Sequence, residues 1–147
     1  MRRPHAAASL ALTLLLASWL HDDGWWATLH AARMPQVQDQ ALAEAAVREA
    51  LERYSAALES LDADAVKKIQ PSIPVENLAK AFRDMRDLEV EIDSVRVLSM
   101  DATSARVSCR VTQTITPRVG SRQTTAVTRV MRLRRESSAW VIDGFER

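Results

Sequence analysis

The chain has 147 residues, of which 47% are hydrophobic and 27% charged, with a formal net charge of +1. That balance fits one globular domain and gives no global electrostatic pull toward nucleic acid, which is excluded as a partner. Cys109 is the one cysteine, so an intrachain disulfide and a multi-cysteine metal site are excluded. The histidines, His5, His21 and His30, all precede Arg33. The chain beyond that point therefore lacks the residue needed for Ser-His-Asp or Cys-His catalysis and the commonest zinc ligand. No metal or cofactor is expected.

Arg2 and Arg3 precede an uncharged run, AAASLALTLLLASWL, from Ala6 to Leu20. A basic start followed by a short apolar run is the pattern of an export signal, and the run is shorter than the roughly 20 residues that cross a bilayer comfortably. No A-x-A triplet follows Leu20, the small residues available being Ala27, Ala31 and Ala32. Two readings stay open: a cleaved signal, and an uncleaved membrane tether with Trp19, Trp25 and Trp26 near the interface. Both place the remainder outside the cytoplasm, periplasmic or secreted. A mis-assigned start codon or an ordinary buried helix is the third reading. Residues 1–35 are thus assigned to a signal or anchor plus linker, and residues 36–147 to the folded domain.

From about Gln38 the pattern is helical. Val47, Leu51, Tyr54, Leu58 and Leu61 recur at spacings of four and three and form one apolar stripe. Asp62 is placed to cap a short second helix, Ala63 to about Ile69, with Asp64 in its first turn and Lys67 and Lys68 in its last. Pro71 stops it. Pro74 can open a third helix at its first position, with Leu78, Ala79, Phe82 and Met85 on one face.

At Asp87 the period changes from about 3.6 to 2. Leu88, Val90 and Ile92 alternate with acids, and the phase then slips to Val95 and Val97, which predicts a bulge near Asp93 and Ser94. A turn at Met100–Asp101 leads into the strongest strand signal, Ala105, Val107, Cys109, Val111 and Ile115 against polar alternates. Cys109 reads as a buried, inert thiol. Gly120 marks a hairpin loop. Gln123 to Arg135 forms the next strand, and Trp140 to Phe145 the last. Helices first and a meander afterwards make an α+β arrangement with the helices on one face of an antiparallel sheet of about four strands.

The run VREALERYSAALESLDADAV (Val47–Val66), followed by VMRLRRESSAWVIDGFE (Val130–Glu146), resembles the nuclear transport factor 2-like superfamily. This is the cystatin-like cone fold of SnoaL-like cyclases and ketosteroid isomerases. The shared features are an R-Y-x-x-A-L first helix, a D-x-D-A-V second helix and a closing W-x-I strand. The resemblance implies a bent sheet around the longest helix, a pocket, and a shortened member without the early strands. Fold does not fix function. Tyr54 falls where isomerase relatives place a tyrosine that donates to the substrate oxyanion, assisted by a neutral acid and an aspartate base. Neither acid carries over: PSIPVENLAKAF supplies a helix where the aspartate's strand would be, and the second acid's position falls near Arg129.

Tyr54, Arg129 and Trp140 are the pocket candidates, and no catalytic residue is assigned. Tyr54 and Trp140 also have a plain reading as core. Arg129, on a mostly apolar face, reads as buried and paired with Glu91, Asp143 or a helix acid, or else as an anion ligand. Arg106, Arg110, Arg132 and Arg134 form a basic patch if their strands are neighbours, read either as a solvated sheet surface or as a surface for an acidic partner. The leading functional expectation is a non-catalytic binding or assembly module for a small apolar ligand or a protein partner, with a homodimer through the sheet face. The rivals are an enzyme or carrier for a small apolar molecule in the cone pocket, and a periplasmic accessory domain on an uncleaved anchor.

Overall fold

The computed structural model describes residues 24–146, with side chains from residue 37 onward. The expected signal or tether, with its apolar run Ala6–Leu20, lies outside the described residues. Among the described residues no helix is long and apolar enough to cross a membrane. The chain divides into two compact units, Met1–Pro35 and Gln36–Arg147, and the four strands and the buried core belong to the second.

Three helices, α1 (Gly24–Glu59), α2 (Ala63–Ile69) and α3 (Val75–Arg83), precede four strands, β1 (Met85–Met100), β2 (Ser104–Pro117), β3 (Gln123–Glu136) and β4 (Ala139–Phe145). The strands form one antiparallel sheet in the order β1-β2-β3-β4. α1 starts upstream of the expected Gln38. Pro35 removes one amide donor from the ladder but does not end the helix, because its neighbours Ala31, Ala32 and Met34 favour it.

The stripe read from the sequence is the face that α1 buries. Val47, Leu51, Tyr54 and Leu58 are buried together with Ala50 and Ala57, which let the helix approach the sheet closely. Leu61, partly buried against the core, has a left-handed backbone (φ 54) just past the helix end. The Asp62 carboxylate then accepts from the amides of Asp64 (2.9 Å) and Ala65 (3.1 Å) and starts α2. A cap of this kind contributes about 1 kcal/mol. Pro74 caps α3 rather than opening it, and Met85 belongs to β1, so the apolar face of α3 is Leu78, Ala79 and Phe82.

In β2, Ala105, Val107, Cys109 and Val111 point inward with polar residues between them. Their cross-strand partners continue the same core: Leu133 opposite Ala105, Met131 opposite Val107, and Ile142 opposite Leu133. The expected bulge is present. The β1–β2 register shifts between Asp93 and Arg96, and Ser94 has φ 54. The shift restores Val95 and Val97 to the core side after Leu88 and Val90. At the β1–β2 turn the Asp101 carboxylate accepts from the amides and hydroxyls of Thr103 and Ser104 and is held well below the usual carboxylate range by those bonds.

Candidate functional site

Between α1 and the inner face of the sheet lies a cavity of about 130 Å³, lined by Tyr54, Val111, Gln113, Arg129, Met131 and Phe145. Each element delivers its residue by periodicity. Tyr54 lies on the buried stripe of α1, Val111 and Gln113 share the inward parity of β2, Arg129 and Met131 share that of β3, and Phe145 pairs with Met131. Drug-sized ligands occupy clefts of about 300–1,000 Å³, so this one suits a molecule of few heavy atoms.

Tyr54 is 7% exposed, and its hydroxyl donates to Gln70 Oε1 at 3.0 Å, with Gln70 itself buried at the end of α2. Burial pushes the phenol pKa from 10.0 up to about 12, against the opposing positive charge of Arg129. The proton of Tyr54 is therefore committed to Gln70 and hard to remove at neutral pH.

Arg129 differs from its expected state. It is exposed rather than buried, and among the described residues it makes no ion pair. Its guanidinium carbon stands 5.6 Å from the centroid of the Phe145 ring, a cation–π distance. The reason is positional. β4 pairs with β3 only up to Met131, so Arg129 lies beyond the covered part of the sheet and reaches water. Of its expected partners, Glu91 alternates with the inward Val90 and so faces the opposite side. Asp143 bridges Arg132 (3.6 Å) and Arg134 (3.3 Å).

Trp140 is 3% exposed and packs in the core. It pairs with Arg135, at the end of β4 away from Phe145, and does not line the cavity. The structure thus brings Tyr54 and Arg129 together and leaves Trp140 elsewhere. The sequence reading passed over Gln113, Phe145 and Gln70. Gln113 was findable, because it keeps the inward phase of Val111; Gln70 was not, because nothing local connects it to Tyr54.

On the outer face, Arg106 and Arg132 are directly opposite, and Arg134 lies on the same side. The patch is largely matched by acids. Arg106 makes a two-pronged contact with Glu146 (2.7 Å for both nitrogens), Arg132 meets Asp143, and Arg134 meets Glu136 and Asp143. That matching fits a solvated sheet surface better than a surface for an acidic partner. Cys109 is 1% exposed and burial pushes its thiol pKa up, so it is unreactive. Among the described residues no cluster of three metal-ligating side chains occurs. The roomier concavity, about 710 Å³, is an open groove where α1 passes the β1–β2 turn. Asp39, Glu44 and Asp101 line it, and Asp101 is already committed to that turn.

No protein-family model and no curated protein matches the sequence. Solved structures do. A candidate scytalone dehydratase from Novosphingobium aromaticivorans superposes with a TM-score of 0.65 at 10% identity, over 75% of this chain and 85% of that one. A candidate dehydratase of the nuclear transport factor 2-like family from Streptomyces avermitilis gives 0.58 at 15% identity, over 68% and 91%. A ketosteroid isomerase-like protein from Erwinia carotovora atroseptica gives 0.51 at 21% identity, over 69% and 91%. With helices α1–α3 laid on a curved four-stranded antiparallel sheet, the chain has the nuclear transport factor 2-like α+β cone fold.

Proposed function

We propose that the domain is a non-catalytic binding module whose cone cavity takes a small ligand with a short apolar body and an acidic group. The observation that carries this reading is the composition of the cavity wall. Arg129 is its one charged residue, Val111, Met131 and Phe145 are apolar, and no carboxylate or histidine lines it. An arginine beside an aromatic ring is a good receptor for a planar anion. Gln113 offers a second donor, and Tyr54 contributes its aromatic ring with a hydroxyl whose proton is already used. The rival, an isomerase- or cyclase-like enzyme, draws on the names of the similar structures and on Tyr54 and Arg129 sharing one cavity. It would need a base within reach of the reacting proton, and the wall supplies none.

Titrating the full chain with butyrate and with butyramide, followed by the amide and methyl resonances around Met131, tests the reading. Butyrate should bind at least ten-fold more tightly than the amide, and Arg129→Gln should remove that difference. Arg129 is exposed, so its replacement leaves the core intact. If neither probe shifts resonances at the cavity, the binding role is wrong. If both bind alike, only the acidic preference is.

We further propose that the module works outside the cytoplasm, exported or tethered through Ala6–Leu20, and this rests on the basic start and apolar run alone. Fractionation of producing cells with mass measurement of the product should find the domain on the outer side of the membrane. An intact chain confined to the cytoplasm overturns the proposal.

A further inference from the structure

The outer face of the sheet holds a depression of about 240 Å³, lined by Ser94, Arg96, Ser108, Cys109, Arg110 and Thr128. It lies on the far side of the sheet from the cavity that holds Tyr54 and Arg129. Side-chain alternation places its polar members outward. Arg96 falls between the core-facing Val95 and Val97, Ser108 and Arg110 flank the buried Cys109, and Thr128 is directly opposite Arg110. The β1 bulge forms one side of it. The register passes from Asp93 opposite Arg110 to Arg96 opposite Ser108, so Ser94 and Val95 both stand against Cys109.

That register brings two arginines together. Arg96 is directly opposite Ser108, and Arg110 is the next outward residue of β2. They are therefore diagonal neighbours on adjacent strands, about 7–8 Å apart at the backbone and within reach for long side chains. Two cations so placed repel unless opposite charge lies between them. Elsewhere on this face the protein supplies that charge: Arg106 has Glu146, Arg132 has Asp143, and Arg134 has Glu136 and Asp143. Among the described residues Arg96 and Arg110 make no ion pair. Asp93 is in register with Arg110, but its carboxylate accepts from the Ser94 hydroxyl, and it lines a separate cleft with Arg48 and Glu52 of α1.

We propose that this depression binds the phosphate or sulfate group of a small molecule. Two guanidinium forks and the hydroxyls of Ser108 and Thr128 arrive from three strands. One fork satisfies both oxygens of a carboxylate, whereas a tetrahedral oxyanion has oxygens left for the second fork and the hydroxyls. No carboxylate lines the depression. Arg96, Arg110 and Thr128 are exposed, so the remaining atoms of an ester have a path to water, and a free ion fits equally.

Titrating the full chain with inorganic phosphate at constant ionic strength, followed by backbone amide resonances, tests the site. Shifts at Ser108, Arg110 and Thr128 should saturate. Arg96→Gln and Arg110→Gln should each weaken binding about ten-fold, the loss expected for one hydrogen bond to a charged group. Both arginines are exposed, so neither change disturbs the core. Arg134→Gln removes an acid-matched charge from the same face, and Arg129→Gln a charge from the other face. Each should change the affinity by less than about two-fold. Acetate should bind about ten-fold more weakly than phosphate at these amides. Glycerol 3-phosphate separates the sources: tighter binding than inorganic phosphate assigns the site to an ester, and equal or weaker binding to the free ion. Shifts that fail to saturate overturn the proposal. So does a loss from Arg134→Gln equal to that from Arg110→Gln, or acetate binding as tightly as phosphate.

Discussion

Leu133→Ala should lower the unfolding free energy by about 3 kcal/mol, within the range of about 2–5 kcal/mol for truncating a buried leucine. Leu133 is 2% exposed in β3, with Ala105 on one side and Ile142 on the other, both buried. Those neighbours are fixed by strand register on both flanks, and Ala105 is too small to fill the space. The site cannot collapse, so the cavity term is felt in full. For a domain of this size, whose total stability is about 5–15 kcal/mol, that is a large fraction. Leu98→Ala, at a residue 50% exposed, is the control and should stay within about 0.5 kcal/mol. Urea unfolding of both variants checks the pair. Equal, small losses would mean that the helices do not cover the inner face of β3.

The second large effect concerns the buried bond from Tyr54 to Gln70. Tyr54→Phe keeps the ring and leaves Gln70 Oε1, buried at 6% exposure, without its donor. The cost should be about 1–3 kcal/mol, the penalty for an unsatisfied buried acceptor. Adding Gln70→Leu removes the orphan, and the double variant should recover most of the loss. Alkali gives a separate signature. Between pH 10.0 and about 12 the tyrosine of the unfolded chain has lost its proton, whereas Tyr54 in the folded domain retains it. The unfolded state then binds fewer protons, so stability falls as pH rises through this window, at up to about 1.4 kcal/mol per pH unit. Below pH 10.0 this contribution is constant. Because Tyr54 is the only tyrosine in the chain, tyrosinate absorbance reports its titration directly. Tyr54→Phe should abolish the alkaline slope attributable to this residue, and an ordinary tyrosine titration in the folded protein would contradict the burial argument.

Much of this fold was legible because its elements obey simple periods. The α1 stripe, the Asp62 cap, the slip at Asp93–Ser94 and the inward run from Ala105 to Val111 each follow from side-chain spacing, and local spacing is what a sequence displays. The α1 start was not legible. Pro35 reads as a breaker, but a single proline can be tolerated when the residues around it favour helix. The site was half legible. Tyr54 was found through its place on the stripe and the family resemblance, and Arg129 through its phase in β3. The state of Arg129 depended on where β4 stops pairing, which is a fact about register between strands. Trp140 illustrates the same gap: a large aromatic in the last strand was bound to be buried, but its end of β4 is not the end that meets the cavity.

The left-handed residue at the end of α1 has a consequence for where that helix stops. Holding a non-glycine residue such as Leu61 in this conformation costs about 1–2 kcal/mol, and the cap at Asp62 returns only about 1 kcal/mol. Neighbouring residues alone therefore give the chain no net reason to break between Glu59 and Ala63, where neither glycine nor proline occurs. What decides it is the interior, which takes up Leu61 in part and Ala63 and Val66 almost wholly. The corner between the first two helices is thus a product of the assembled domain. A chain that has not yet gathered its strands has little cause to bend there, and would carry α1 and α2 as a single rod until the sheet forms beneath it.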